Sequence, residues 1–329
     1  ATLVQKNTLE SLDDYITDAG INLADFNGIT DQVTVDGSLY ELPFRSDYWL
    51  IYYNKDVFDA AGIAYPSNDM TMEDYDALAR QLTDTTYGSQ VYGCHYHTWR
   101  SAVELFGILD GKHSILDGNY DWMIPYYDMI LSEEDDGVCQ TYTDLSTEGL
   151  HYSAAFSNGN VAMMNMGSWF ISTLISNLDS GEYDSSLCGN WGIASYPHPD
   201  GAEAGSTIAT ITGLAVTSAS ANKDAAFDFV NWVSGTEGAK VMASTGNFPA
   251  IMTDDVINTI AGMAGFPTDE GSKEALNITN AYLEVPYAEN VSEINSILDT
   301  YHTSIMNREV TVEEGVASMN EQVGKILNQ

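Results

Sequence analysis

The chain has 329 residues, 44% of them hydrophobic, so it is long enough for about two domains that each bury a core. Eleven Lys and Arg stand against 48 Asp and Glu, which gives a formal net charge of −37 at pH 7. This charge argues against nucleic acid and anionic membranes as partners, and it favours a neutral or cationic ligand. A saline or acidic habitat would explain the same bias without reference to a ligand.

Helical patterns alternate with short apolar or aromatic runs along the whole length, which predicts an α/β protein. No stretch approaches the roughly 18 unbroken apolar residues of a membrane span. The segment 196–205 is rich in Pro and Gly and is predicted to join two lobes. Strands are predicted at 48–53, 161–166, 191–196 and 208–217.

Capping residues predict the helices. Thr71 with Asp74 is a capping box that opens a helix ending near residue 83. Asn222 is the predicted N-cap of a helix that Gly235 ends, and a short helix follows at 236–242. An apolar stripe at 294–305 and a capping box at 311–314 predict two more helices at the end of the chain.

The cysteines and histidines form no metal-binding pattern. Cys94, Cys139 and Cys188 lie far apart, with no C-x-x-C motif, so they define no site. An exported protein could pair two of them, and the sequence does not determine which. His95 and His97 form an H-x-H pair that no other cluster completes, so we predict neither a metal nor a cofactor.

Three ordered blocks carry a resemblance to a known family. Residues 39–62 read LYELPFRSDYWLIYYNKDVFDAAG, residues 155–169 read AFSNGNVAMMNMGSW, and residues 213–250 begin GLAV and end FPA. Together they resemble the family 1 extracellular solute-binding proteins of carbohydrate ABC importers, the maltose and oligosaccharide type. The resemblance implies a two-lobed, periplasmic-binding-protein-like α/β fold of type II with a cleft between the lobes.

The resemblance also implies the lobe boundaries, the cellular location and the partner of the protein. Lobe 1 would comprise residues 1–46 and 198–247, and lobe 2 residues 47–197 and 248–329. Family members begin with further strands and helices of lobe 1 before the segment that 3–16 resembles, so we expect a truncated lobe 1. The implied protein is a monomer, a cell-surface lipoprotein or periplasmic, that passes a sugar to the transmembrane permease of an ABC transporter.

A carbohydrate site needs flat aromatic platforms for C–H faces and polar groups for the hydroxyls. In the family, the residue that matches Trp169 stacks on a sugar ring, and Ser168 would bond a hydroxyl at the start of the same helix. Asp47 lies where the chain crosses between lobes, with a binding role and a structural role both open. Tyr48 and Trp49 face opposite ways on a strand, and we favour Tyr48 as the residue that lines the cleft.

Further candidates follow from the matched positions. Tyr96 and Trp99 lie in the segment CHYHTW, where relatives present aromatic residues from lobe 2. Thr210, Thr212 and Gly213 are candidates because relatives return to lobe 1 at these positions. Asn247 is a candidate hinge or cleft residue. Helical spacing assigns Trp232 to the core, and Trp122 and Trp191 are assigned to the core as well.

Two other functions stay open. The chain has no G-x-S-x-G, H-E-x-x-H, P-loop or dinucleotide motif, so we predict no catalytic residue and no enzyme, although a glycosidase needs only two carboxylates at a suitable distance. The same fold also binds polyamines or ferric iron in other relatives. A polyamine would suit an acidic chain, whereas Tyr52 and Tyr53 face opposite ways and cannot form the tyrosine pair of an iron site.

Overall fold

The computed structural model describes residues 2–26, 28–86 and 88–328. Its strands are β1 (Leu42–Asn54), β2 (Tyr92–His95), β3 (Val161–Gly167), β4 (Trp191–Ala194), β5 (Ser206–Leu214) and β6 (Asn280–Leu283). The four predicted strands are therefore confirmed, with ends that differ by up to six residues. The strand β6, which pairs with β5, was not predicted.

Helices fill most of the remaining chain. They are α1 (Thr2–Gln5), α2 (Asp13–Ala19), α3 (Ile29–Gln32), α4 (Lys55–Ala61), α5 (Met72–Leu82), α6 (Ser101–Ile108), α7 (Ile124–Asp135), α8 (Tyr142–Glu148), α9 (Tyr152–Ser157), α10 (Trp169–Ser180), α11 (Ser185–Cys188), α12 (Lys223–Ser234), α13 (Thr236–Ala243), α14 (Asp254–Ala261), α15 (Glu270–Glu274), α16 (Val291–Met306) and α17 (Val312–Leu327). Short 3₁₀ turns lie at Leu23–Phe26 and Asp121–Met123. Among the described residues, no helix combines the length and apolar character needed to cross a membrane.

The strand β1 takes part in two sheets. Its first half, up to Tyr48, pairs antiparallel with β5, which pairs in turn with β6. From Trp49 onward it pairs antiparallel with β3 on one edge and with β4 on the other, and β2 extends that sheet parallel to β3. Thirteen residues in extended conformation span roughly 40 Å, so one strand joins the two halves of the molecule.

The composition of β1 explains why it is continuous. The run YWLIYY at 48–53 is at most 5% exposed at every position, because helices cover both faces of the sheet there. A smaller apolar core lies beside the first half of β1 and joins residues of α2, α12 and the loops between them; it comprises Leu12, Ile16, Val33, Leu39, Leu42, Val216, Phe227 and Val230. The large core surrounds the second half.

Two capping boxes form as predicted, at Thr71 with Asp74 and at Thr311 with Glu314. The predicted cap at Asn222 is wrong in detail, because its side chain makes no capping bond and its own N–H donates to Ser220 Oγ at 3.2 Å.

The prediction that Trp232 packs in the core is also wrong, since its side chain is 54% exposed. The buried face of α12 is formed by Phe227, Val230 and Ser234, spaced three and four residues apart. Trp232 lies two residues beyond Val230, about 200° around the helix, and so faces outward with Phe229. By contrast, Trp191 is buried as predicted, and Trp122 is partly buried against the large core.

A buried carboxyl on α7 has no hydrogen-bond partner among the described residues. Glu133 has no exposed surface, and neither of its carboxyl oxygens finds a donor. Burial raises the pKa of Glu133 to about 8. The folded protein therefore holds this group as a neutral acid at pH 7.

This carboxyl makes the stability of the protein depend on pH. Between the ordinary pKa of 4.5 and about 8, the unfolded chain has lost the Glu133 proton while the folded chain keeps it, so stability falls as pH rises. The loss amounts to about 1.4 kcal/mol per pH unit. We expect Glu133→Gln to remove up to about 4 kcal/mol of the decline in unfolding free energy between pH 5 and pH 8, measured by urea denaturation. The exposed Glu148→Gln is the control, and parallel curves for Glu133→Gln and wild type would contradict the assignment.

Candidate ligand-binding site

Ser168 bonds to β1 at the point where this strand changes sheets. Ser168 Oγ accepts the Tyr48 N–H at 3.1 Å and donates to Asp47 Oδ1 at 2.9 Å. Arg45 Nε also lies 2.7 Å from Asp47 Oδ2. Burial raises the pKa of Asp47, while Arg45 and Ser168 act in the opposite direction. Both oxygens of this buried carboxyl are thus engaged by the protein.

Trp169 begins α10 immediately after this contact. Its side chain is only partly buried, its ring meets Trp49 edge-on at 5.7 Å between centroids, and its Nε1 donates to the Tyr152 hydroxyl at 3.1 Å. Gly167 is required beside it, because an ideal Cβ there would lie 2.1 Å from the Trp169 ring. The order Gly-Ser-Trp therefore fixes the position of this ring.

Four further aromatic rings join Trp169. Trp99 is 40% exposed, and its centroid lies 6.4 Å from Trp169, 5.7 Å from Tyr152 and 4.7 Å from His97. His151 lies 4.0 Å from Tyr152 and 5.5 Å from His97. We call Trp99, Trp169, His97, His151 and Tyr152 the aromatic cluster.

His97 contributes no charge to the aromatic cluster at pH 7. Burial, with a smaller contribution from the neighbouring His151, lowers the pKa of His97 to about 4. The His97 ring is therefore neutral at pH 7 and can both donate and accept a hydrogen bond.

The residue after Trp99 is held firmly. Arg100 is 7% exposed and donates from Nη1 to the Asn295 carbonyl at 3.1 Å and from Nη2 to Asn295 Oδ1 at 2.6 Å. Its Nε donates to the buried Glu104 at 2.5 Å. Since these bonds fix the start of α6, they fix the loop that presents Trp99.

Two predicted site residues lie inside the core. Tyr48 is 5% exposed, packs against Phe248 at 5.9 Å, and lines a cavity of about 360 Å³ beside α3. Tyr96 is 6% exposed and packs edge-on against Tyr75 and Phe106. Neither ring makes a stacking contact with a member of the aromatic cluster among the described residues.

The residues predicted on the return strand lie opposite the crossing. Thr210 is the register partner of Asp47, and Thr212 that of Arg45. Thr210 Oγ1 donates to Glu284 Oε2 at 2.9 Å, and Ser101 at the start of α6 donates to the same carboxylate. Glu284 therefore links β5 to the loop after Trp99.

Gly213 and Asn247 lie farther along. Gly213 is the register partner of Pro43, and an ideal Cβ on it would lie 2.4 Å from Glu41 Oε1. Asn247 is partly buried, and its Nδ2 donates to Thr245 Oγ1 at 2.9 Å. No hydrogen bond joins either of them to the aromatic cluster among the described residues.

Sequence reasoning missed His151, Tyr152 and Glu284. His151 and Tyr152 stand at the start of α9, just ahead of the second family block, and nothing in their spacing distinguishes them from a helix start. The sequence also gave no sign of a second group. In the described part of the chain, the side chains of Cys94, Glu133 and Cys139 place three possible metal-ligand atoms within 4.8 Å of one another.

The contacts of Ser168 give a test of the crossing. Ser168→Ala leaves the Tyr48 N–H without its partner and takes one of two donors from Asp47 Oδ1, which keeps Arg45 Nη2 at 3.2 Å, so we expect a loss of about 1–3 kcal/mol in unfolding free energy. Urea denaturation measures it. Ser180→Ala, which removes two exposed bonds, one to the Asn177 carbonyl at 3.2 Å and one from the Glu182 N–H at 3.4 Å, is the control, and equal effects of the two changes would contradict the role of Ser168.

Comparison with known proteins identifies the family and the fold. A family model described as bacterial extracellular solute-binding protein matches residues 1–240. The crystal structure of a sugar transporter from Rhizobium etli, in an open conformation, is 46% identical, with a TM-score of 0.92 over 98% of this chain and 81% of that one. No curated protein matches the chain closely enough to count.

More distant structures share the fold alone. An ABC substrate-binding protein from Listeria monocytogenes in complex with cycloalternan is 22% identical, with a TM-score of 0.81 over 99% of this chain and 81% of that one. The sugar-binding protein MalE from Xanthomonas citri is 19% identical, with a TM-score of 0.75 over 99% and 80%. The fold is thus the two-lobed α/β fold of periplasmic binding proteins. The chain belongs to the bacterial extracellular solute-binding protein family.

Proposed function

We propose that this protein captures a sugar or oligosaccharide between its two lobes and delivers it to the permease of an ABC transporter. The observation that carries the proposal is the aromatic cluster, with Trp99 and Trp169 partly open to solvent beside the crossing of β1. The membership of the family and the 46% identical sugar transporter support it.

The chemistry of the aromatic cluster suits a carbohydrate. Indole faces stack on the apolar C–H faces of a pyranose, and Trp offers the largest such face. The hydroxyl of Tyr152 and the ring nitrogens of His97 and His151 provide donors and acceptors within the same cluster. A surface of this kind gives both the platform and the polar groups that a sugar needs.

The ligand we propose is neutral. The net charge of −37 repels anions, and the neutral His97 adds no positive charge to offset it. Asp47 is already bonded to Arg45 and Ser168, so we assign it to orienting the crossing and α10 rather than to neutralising a cation. Ser168, Thr210, Thr212, Gly213 and Asn247 remain secondary candidates for contact with the ligand when the lobes close. Because Tyr48 and Tyr96 are 5% and 6% exposed, we assign them to support from within the core.

Binding would work by closure of the lobes. We propose lobes of residues 1–46 with 198–247 and residues 47–197 with 248–329, so that the chain crosses between them within β1, before β5 and after α13. A ligand that touches both lobes only when they are closed shifts the population to the closed form, which the permease recognises. The protein would act as a monomer outside the cytoplasm, either periplasmic or anchored as a lipoprotein.

A polyamine is the second candidate. A cavity of about 340 Å³ is lined by Trp99 together with the carboxylates of Glu284 and Asp299. Those carboxylates already bond to Ser101 and Arg100 respectively, so a cation would have to displace these partners. We therefore rank it below a sugar.

A thermal-shift screen of oligosaccharides and polyamines tests the proposal. A ligand bound only by the folded protein adds about 2.7 kcal/mol of stability at a hundredfold excess over its dissociation constant. We expect an oligosaccharide to raise the melting temperature and polyamines to leave it unchanged. A response to polyamines alone would overturn the carbohydrate assignment in favour of the second candidate.

Replacement of the indoles locates the site. We expect Trp169→Ala and Trp99→Ala each to raise the dissociation constant for that oligosaccharide at least about tenfold, since truncation of a central aromatic anchor costs about 2 kcal/mol. Isothermal titration measures the constants. Trp232→Ala removes an exposed indole from α12 and should leave the dissociation constants unchanged. If Trp232→Ala alone weakened binding, the site would lie at α12 and not at the aromatic cluster.

The oligosaccharide should also survive binding unchanged. The family and its relatives are binding proteins of transporters, and we assign no residue to bond cleavage. After prolonged incubation with the protein, chromatography should recover the sugar intact. Release of shorter sugars, lost on replacement of a carboxylate near the aromatic cluster, would instead support a glycosidase.

A further inference from the structure

We infer that Cys94 and Cys139 form a disulfide that ties β2 to the segment following α7, with Cys188 left free. The inference concerns covalent structure and stands apart from the identity of the ligand. All three cysteines are unbonded and buried in the structure.

The backbone brings the two residues together. Cys94 lies on β2, and its N–H donates to the carbonyl of Val138, the residue before Cys139, at 3.4 Å. The two sulfurs and a carboxyl oxygen of Glu133 all lie within 4.8 Å of one another. Cysteines on neighbouring backbone segments, with sulfurs this close, are placed to form a disulfide.

The environment favours a sulfur–sulfur bond over a bound cation. The compact group comprises Cys94, Cys139 and Glu133, and no fourth His, Cys, Asp or Glu among the described residues joins it. A closed structural zinc site takes four protein ligands.

Cys188 has a different setting. It ends the short helix α11, and its thiol donates to the Asp184 carbonyl at 3.7 Å. It is absent from the group around Cys94. The geometry therefore selects one pairing of the three that the sequence leaves open.

The chemistry is an exchange with an external disulfide. The family is extracellular, and proteins outside the cytoplasm meet disulfide donors of the dithiol oxidoreductase class. The Cys94 and Cys139 thiols each lose a proton and together give two electrons to the donor disulfide, which leaves as two thiols. Both thiols are buried in the folded protein, out of reach of a donor disulfide, so the reaction belongs to the open chain before this region folds.

The bond would brace the proposed binding surface. Cys94 lies three residues before His97 and five before Trp99, and the disulfide would anchor the strand from which that loop departs. The closed loop spans residues 94–139, long enough for a disulfide to restrict the unfolded chain substantially.

Thiol counting on the wild-type protein, exported from a bacterial cell, tests the inference. When the protein is denatured in the presence of an alkylating reagent, we expect one labelled cysteine, Cys188. The mass spectrum should also show a peptide pair linked through Cys94 and Cys139. Prior reduction should expose three thiols and lower the melting temperature by about 5 °C or more. Cys188→Ser is the matched control and should show the same response to reduction.

Three results would overturn the inference. The first is three free thiols in the exported protein, and the second is a linked pair that includes Cys188. The third is one zinc ion per chain by elemental analysis with all three thiols unoxidised, which would assign Cys94, Glu133 and Cys139 to a cation instead. Because the thiol count uses the wild-type chain, a variant that fails to fold does not affect it.

Discussion

The strand β1 gives its backbone hydrogen bonds first to one sheet and then to the other, and the change falls between two adjacent residues. Tyr48 is the last to pair with β5, and Trp49 is the first to pair with β3. At that junction the hydroxyl of Ser168 bonds both Tyr48 and Asp47. Since Ser168 also precedes α10, the group that joins the sheets also sets the position of Trp169.

The fold could be predicted where the local pattern decides it. The run YWLIYY was predicted as a strand, and the capping boxes at Thr71 and Thr311 fixed two helix starts to the residue. Trp232 was assigned wrongly because an apolar residue near a helical stripe was counted as part of it, although it lies outside the arc set by Phe227 and Val230. The strand β6 is four residues long and only half-buried, so its composition gave no signal.

The candidate site depended on distant contacts, and there the sequence was less informative. Trp169 and Trp99 were identified through matched positions, whereas His151 and Tyr152 join them only because α9 packs beside β3. The same limit applies to Cys94 and Cys139, which 44 residues separate in the sequence and one backbone hydrogen bond brings together. Local periodicity carries no information on pairs of this kind.

A neutral sugar that stacks on the aromatic cluster should be seen most directly in the indole N–H signals. The chain has 6 Trp, so ¹⁵N-Trp labelling gives a small set of indole signals that Trp→Phe variants can assign. On titration with the oligosaccharide that gives the largest thermal shift, the account predicts that the signals of Trp99 and Trp169 move together while that of the exposed Trp232 stays in place. Movement of Trp232 with Trp99 and Trp169 unchanged would contradict it.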